Sequence, residues 1–225
     1  MKNNNTIPIL YSFRRCPYAM RARLIILLSQ IKVELREVKL SKKPVEMTTI
    51  SKKGTVPVLL LPNDKVIDES LDVMNWALDI NDPENIKNTI INYEKDTKHI
   101  IKKFDSDFKY HLDRYKYYTR YRDDHKLKTQ EDHRDLALET LKIVEDILNS
   151  QNSWIFGNYP SFLDIAILPF VRQYRIADIT WFDEEMPLRK THRWLMKFLD
   201  WQTFIRSMEK YKIWESQDKP VYFGQ

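Results

Sequence analysis

The sequence predicts an α/β domain followed by an all-helical one. Three observations carry this: short apolar runs alternate with helical patterns up to residue 80, a polar break stands at 81–85, and only helical spacing follows. A chain of 225 residues is long enough for two compact domains, each with a core.

Residues 7–13 read as a buried strand, and 17–30 as a helix with Pro17 first, where the missing N–H does no harm. Residues 33–40 alternate apolar and polar side chains, as a second strand does. A short helix over 44–50 follows, then two strands, 56–61 and 65–67, flank the turn Pro62-Asn63-Asp64 as a hairpin. Residues 69–80 return to helical spacing. The order β-α-β-α-β-β-α describes a small layer of the thioredoxin type, so 1–80 form the first domain.

Asn81-Asp82-Pro83-Glu84-Asn85 has the composition of a linker, which leaves 86–225 as the helical domain. One long helical pattern carries Ile101, Phe104, Phe108, Leu112 and Tyr115; a second carries Leu136, Leu141, Val144 and Leu148. Ser161 and Asp164 form a variant capping box ahead of a helix over 165–174, which Pro169 should kink. Trp194, Phe198 and Trp201 form an apolar stripe on a further helix. No convincing strand appears in this half, and the tail 218–225 has no assigned role.

Cys16 is the only cysteine, so no intrachain disulfide can form, as suits a reducing compartment. It sits where the first strand meets the first helix. There a thiol faces unpaired N–H groups and the positive end of the helix dipole, which favour its thiolate. Arg14, Arg15, Arg21 and Arg23 push the same way if they lie close in space. The opposing reading is a buried, inert hydrophobe, the commoner fate of a free cysteine.

Charge is placed unevenly. Through residue 80 there are 13 Lys and Arg against 8 Asp and Glu, while the remainder holds 24 of each. The basic third has no Lys/Arg block with interleaved aromatics, so it suits a small anionic ligand rather than nucleic acid. The longest aliphatic run, 24–28, is too short to span a bilayer, and no apolar stretch follows the polar start, so no membrane partner is expected and the default location is the cytosol. The five histidines include no i, i+4 pair and no Cys partner, so no metal site is expected.

These features resemble the glutathione S-transferase superfamily, specifically its cysteine-type members, the omega class and two-domain glutaredoxins. Residues 11–24 are similar to the family's active-site strand and helix. Gly54-Thr55-Val56-Pro57-Val58-Leu59 resembles its cis-proline loop, and Asp68-Glu69-Ser70 its γ-glutamyl-binding turn. Gly157, Ser161-Phe162-Leu163-Asp164-Ile165-Ala166 and Pro169-Phe170 resemble its capped core helix.

The resemblance implies the glutathione S-transferase fold and a thiol transferase or dehydroascorbate reductase-like enzyme that uses glutathione as co-substrate. Cys16 would form a mixed disulfide with glutathione. Ala19 stands where dithiol relatives carry a second cysteine, so Cys16 would act as a monothiol. Val56 and Pro57 would present backbone groups to the tripeptide, and Lys53, or its neighbour Lys52, would meet the glycyl carboxylate. Glu69 would pair the ammonium of the amino-acid end, and Ser70 would receive its carboxylate. Read alone, Glu69 and Ser70 favour simple helix capping; Cys16 and Pro57 beside them shift the reading to ligand binding.

A second-substrate pocket is implied for Tyr110, Arg114, Tyr117 and Tyr121 on one face of a helix, with Tyr18 from the first domain; the same tyrosines suit helix packing. The second substrate would be a small electrophile or disulfide. A conjugating transferase and a non-enzymatic binding or regulatory protein on this fold stay open, as do monomer and homodimer. Tyr11 lies within the strand pattern and packs, while Ser12 has no base partner visible in the sequence.

Overall fold

The computed structural model describes residues 6–125, 128–148 and 152–225. They fall into two compact units, residues 1–85 with 201–225, and residues 86–200.

In the first unit the expected order appears: β1 (Ile9–Ser12), α1 (Pro17–Leu28), β2 (Val33–Glu37), α2 (Val45–Ile50), β3 (Val58–Leu60), β4 (Val66–Ile67) and α3 (Ser70–Ile80). β1 pairs β2 in parallel, β3 in antiparallel, and β3 pairs β4 in antiparallel. Every residue from Ala19 to Leu27 is buried, so α1 is covered on all sides, with α3 and α10 (Gln202–Ser207) packed against it. Two of those buried side chains are Arg21 and Arg23.

One strand was missed. β5 (Tyr222–Phe223) pairs antiparallel with β2 and gives the sheet the order β4-β3-β1-β2-β5. Two residues are too few to show alternation, and their partner is distant in sequence. Gly224 follows at φ 100°, and a Cβ there would lie 1.9 Å from the Ile31 carbonyl oxygen, so the close approach requires glycine. Residues 201–225 therefore group with the first unit, where the sequence had placed them in the helical domain. Their polar anchors explain why: Arg23 Nε donates to the Ser207 carbonyl at 2.6 Å, and Trp214 N–H to the Glu37 carbonyl at 2.8 Å.

The second unit comprises α4 (Ile86–Asn92), α5 (Glu94–Lys103), α6 (Lys109–Lys116), α7 (Gln130–Ile147), α8 (Phe162–Ala177) and α9 (Arg189–Asp200). The first long pattern is two helices joined by a wider π turn, Phe104–Phe108, and all five of its apolar residues are buried. In the second pattern Leu136 is exposed while Leu141, Val144 and Leu148 are buried. Trp201 is not on the helix of Trp194 and Phe198; it caps α10.

The capping box at α8 forms as expected, and the helix runs on through Pro169. Asp164 is wholly buried and accepts from Ser161 N–H at 2.8 Å, Ile155 N–H at 3.1 Å and Trp194 Nε1 at 2.7 Å. Burial raises its pKa, although these donors work in the opposite direction. Asp164→Ala should cost about 3 kcal/mol by leaving buried donors unpaired, and Asp164→Asn less, as urea unfolding will measure.

Candidate active site

Cys16 occupies the N-cap of α1, with φ −78° and ψ 126° and Pro17 following. Its N–H donates to the Phe13 carbonyl at 2.9 Å, and its carbonyl accepts from Met20 N–H at 2.9 Å, the first turn of the helix. The thiol is half-buried, and Sγ lies 3.8 Å from the Val56 carbonyl oxygen, to which it donates. It packs on an apolar cluster that includes Ile9, Ala19, Met47 and Val58. The residue makes no side-chain capping bond, but its N-cap position sets the sulfur at the helix end where backbone N–H groups lack intrahelical acceptors.

The arginines around it have other tasks. Arg14 Nη1 donates to the Met208 carbonyl at 3.3 Å, Arg21 Nη1 to Ser70 Oγ at 3.2 Å, and Arg23 Nη1 to Glu37 Oε2 at 3.0 Å. Arg15 lies over the Phe13 ring at 5.3 Å. Arg23 is thus paired with a carboxylate, whereas Arg14 and Arg21 donate to neutral oxygens and keep their charge beside the first turns of α1. Sequence proximity carries no information about which acceptor a long side chain finds.

The two neighbouring hydroxyls are both buried, but they differ: that of Tyr11 has a hydrogen-bond partner and Ser12 Oγ has none among the described residues. Tyr11 is buried, its oxygen accepts from Arg36 Nη1 at 2.7 Å, and burial raises its pKa. Ser12 is wholly buried.

Opposite the thiol, the Val56–Pro57 peptide bond is cis. Glu69 stands at the N-cap of α3 yet makes no side-chain capping bond; its carboxylate is ion-paired with Lys53 instead. Capping therefore does not account for Glu69. Ser70 opens α3, buried, with Oγ held by the fully buried Arg21. Ser51 Oγ donates to Asp68 at 2.7 Å and pins the preceding turn. Contacts thus link Cys16 with Val56, Lys53 with Glu69, and Ser70 with the helix that carries Cys16. Arg21 also lies over the Tyr18 ring at 5.3 Å.

In the second unit the four residues expected on one helical face divide. Tyr110 and Arg114 lie on α6, Tyr117 ends it, and Tyr121 lies in a 3-10 segment, Tyr118–His125, interrupted at Tyr121 itself. Arg114 stacks on Tyr110 at 3.5 Å and on Tyr121 at 4.6 Å, whereas Tyr117 receives Arg120 at 4.4 Å. The helix stops at Lys116, so the i, i+4, i+7 spacing does not hold beyond it.

One pairing had no sequence signal: His111 Nδ1 lies 2.8 Å from His133 Nδ1, between α6 and α7. Burial lowers the pKa of His111. Among the described residues no group of three or more His, Cys, Asp and Glu is arranged to hold a metal.

Residues 10–85 match the family model described as the glutathione S-transferase N-terminal domain. Over these residues the chain is similar to the glutathione S-transferase family. A probable glutathione transferase of Aplysia californica is 49% identical over 47 residues, which are 21% of this chain and 51% of that protein, so the chain spans about half the length of this curated relative. Among solved structures, a glutathione transferase family member from Pseudomonas fluorescens, with two glutathione bound, has 17% identity. The match covers 91% of this chain and 93% of that one at a TM-score of 0.74. Glutathione transferase Omega 3C from Trametes versicolor has 18% identity, over 94% and 92% of the two chains, also at 0.74. At these identities the likeness shows a shared fold, and the glutathione S-transferase fold extends beyond the matched domain.

Both members of the Lys53–Glu69 pair are well exposed, at 46% and 61%. Lys53→Gln should therefore change the unfolding free energy by less than about 0.5 kcal/mol in a urea titration. A larger loss would make the pair structural.

Proposed function

We propose that the protein is a glutathione-dependent thiol transferase in which Cys16 acts as a monothiol. The observation that carries this reading is the half-buried Cys16 thiol at the N-cap of α1, beside the Val56 carbonyl, while the adjacent hydroxyls of Tyr11 and Ser12 are buried. A hydroxyl-type transferase needs a hydroxyl facing the glutathione sulfur. Tyr11 spends its oxygen on Arg36.

Cys16 thiolate attacks the glutathione sulfur of a glutathionyl mixed disulfide. The new S–S bond forms as the old one breaks, and the departing thiolate takes a proton from water. A second glutathione thiolate then attacks the glutathione sulfur bound to Cys16, releasing oxidised glutathione and restoring the Cys16 thiolate. Oxidised and reduced sulfurs balance across the two steps, and no second protein cysteine is needed.

The binding wall fits a tripeptide with charged ends. Glu69 offers a carboxylate to the ammonium, and Ser70 a hydroxyl at a helix N-terminus to the adjacent carboxylate. The Val56 backbone offers strand-like pairing to the central residue. Lys53 meets the glycyl carboxylate, which requires that ligand binding break its pair with Glu69. Tyr110, Arg114, Tyr117 and Tyr121 of the second unit are proposed as contacts for the second substrate, and Tyr18 is proposed as such a contact within the first unit. The omega-class neighbour supports this reading through fold.

Incubation with oxidised glutathione should add one glutathionyl mass to the wild-type protein and none to Cys16→Ser, as intact-mass spectrometry will show. An unmodified wild type overturns the assignment. Glu69→Ala should raise the KM for glutathione about tenfold through the loss of one charge-assisted contact, with the melting temperature of the free protein nearly unchanged.

A further inference from the structure

Glu37 ends β2 with a carboxylate that has no part in the steps above. The residue is 6% exposed. Its Oε1 accepts the Arg14 backbone N–H at 2.7 Å, and its Oε2 accepts from Arg23 Nη1 at 3.0 Å. Arg14 stands two residues before Cys16, inside the turn closed by the Cys16 N–H bond to the Phe13 carbonyl. The carboxylate thus grips that turn by its own backbone.

Arg23 in turn fixes the carboxylate and is itself fixed. Its Nε and Nη2 donate to the carbonyls of Ser207 and Glu209, at 2.6 and 3.2 Å, and its guanidinium lies over the rings of Tyr211 and Phe223. The charged and titratable groups that face Glu37 are Arg14 and Arg23, with Tyr211 against Arg23. A backbone N–H bonded to a buried carboxylate is among the stronger hydrogen bonds available to a loop.

We propose that Glu37 is a positioning residue for the Cys16 thiol, fixing through the Arg14 N–H the turn that sets Sγ at the N-terminus of α1. The proposal rests on Cys16 being the reacting group. Without this anchor the turn loosens, and the sulfur loses its place before the helix N–H groups that favour the thiolate.

The test is the rate of iodoacetamide alkylation of the full chain against pH, for wild type, Glu37→Ala and Glu37→Gln, with melting temperatures alongside. Alkylation reads the sulfur without glutathione, so failure of the glutathione reading leaves this outcome intact. Glu37→Ala should alkylate about fivefold more slowly at pH 7, with its inflection moved toward that of an ordinary cysteine. Glu37→Gln keeps an oxygen for the Arg14 N–H and should stay within about twofold of wild type.

A merely structural ion pair would lower both melting temperatures and move neither profile, which overturns the proposal. A Gln profile displaced as far as the Ala profile overturns it too. If Glu37→Ala does not fold, amide hydrogen exchange in the wild-type protein decides: Arg14 should be protected like the amides of β1, and exchange at the rate of an exposed loop overturns the proposal.

Discussion

The first unit is organised around one buried ion pair, Arg23 with Glu37. Removing either charge from water is costly, and burial acts on both, pulling the arginine's pKa down and the carboxylate's up. The pair persists because every polar edge is met. Arg23 directs one nitrogen to the carboxylate and two to backbone carbonyls of the C-terminal segment, and Glu37 takes a backbone N–H with its second oxygen. One interaction therefore joins the helix that carries Cys16, the end of β2 and a segment almost two hundred residues away.

The second unit uses the same strategy with a different group. Asp164 is buried without a charged partner in its hydrogen-bond shell, and backbone N–H groups, a hydroxyl and an indole satisfy it. Its donors tie the start of α8 to the strandless stretch at Ile155 and to α9 through Trp194. In both units an apolar core supplies most of the burial, and a single polar group sets which distant segments meet.

The α/β layer was legible because its elements are local. Residues 9–12 and 58–60 announce strands by successive apolar positions and 33–37 by alternation, and Pro17 marks a helix start that the structure places at the same residue. The cysteine's position at the strand-to-helix junction was legible for the same reason. What escaped was long-range. A two-residue strand at 222–223 has no period, and its existence depends on the free edge of β2. Arg14, Arg21 and Arg23 looked like one basic cluster, yet each reaches a different acceptor, because flexible side chains follow buried oxygen atoms rather than sequence order. Tyr117 and Tyr121 were misplaced because α6 ends at Lys116 with no proline or glycine to announce it.

The first unit is assembled from both ends of the chain, and that has a consequence during synthesis. A ribosome that adds about 5–20 residues per second releases residues 1–85 well before residues 201–225 exist. Throughout that interval the outer edge of β2 has no β5, and Arg23 has no carbonyls from Ser207 and Glu209 to receive its charge. The nascent sheet is open on the β2 side, one strand removed from β1 and the cysteine that follows it. Any shortened product that stops within the helical unit keeps that open edge permanently, so a quality-control chaperone or a neighbouring chain would find it ready to pair.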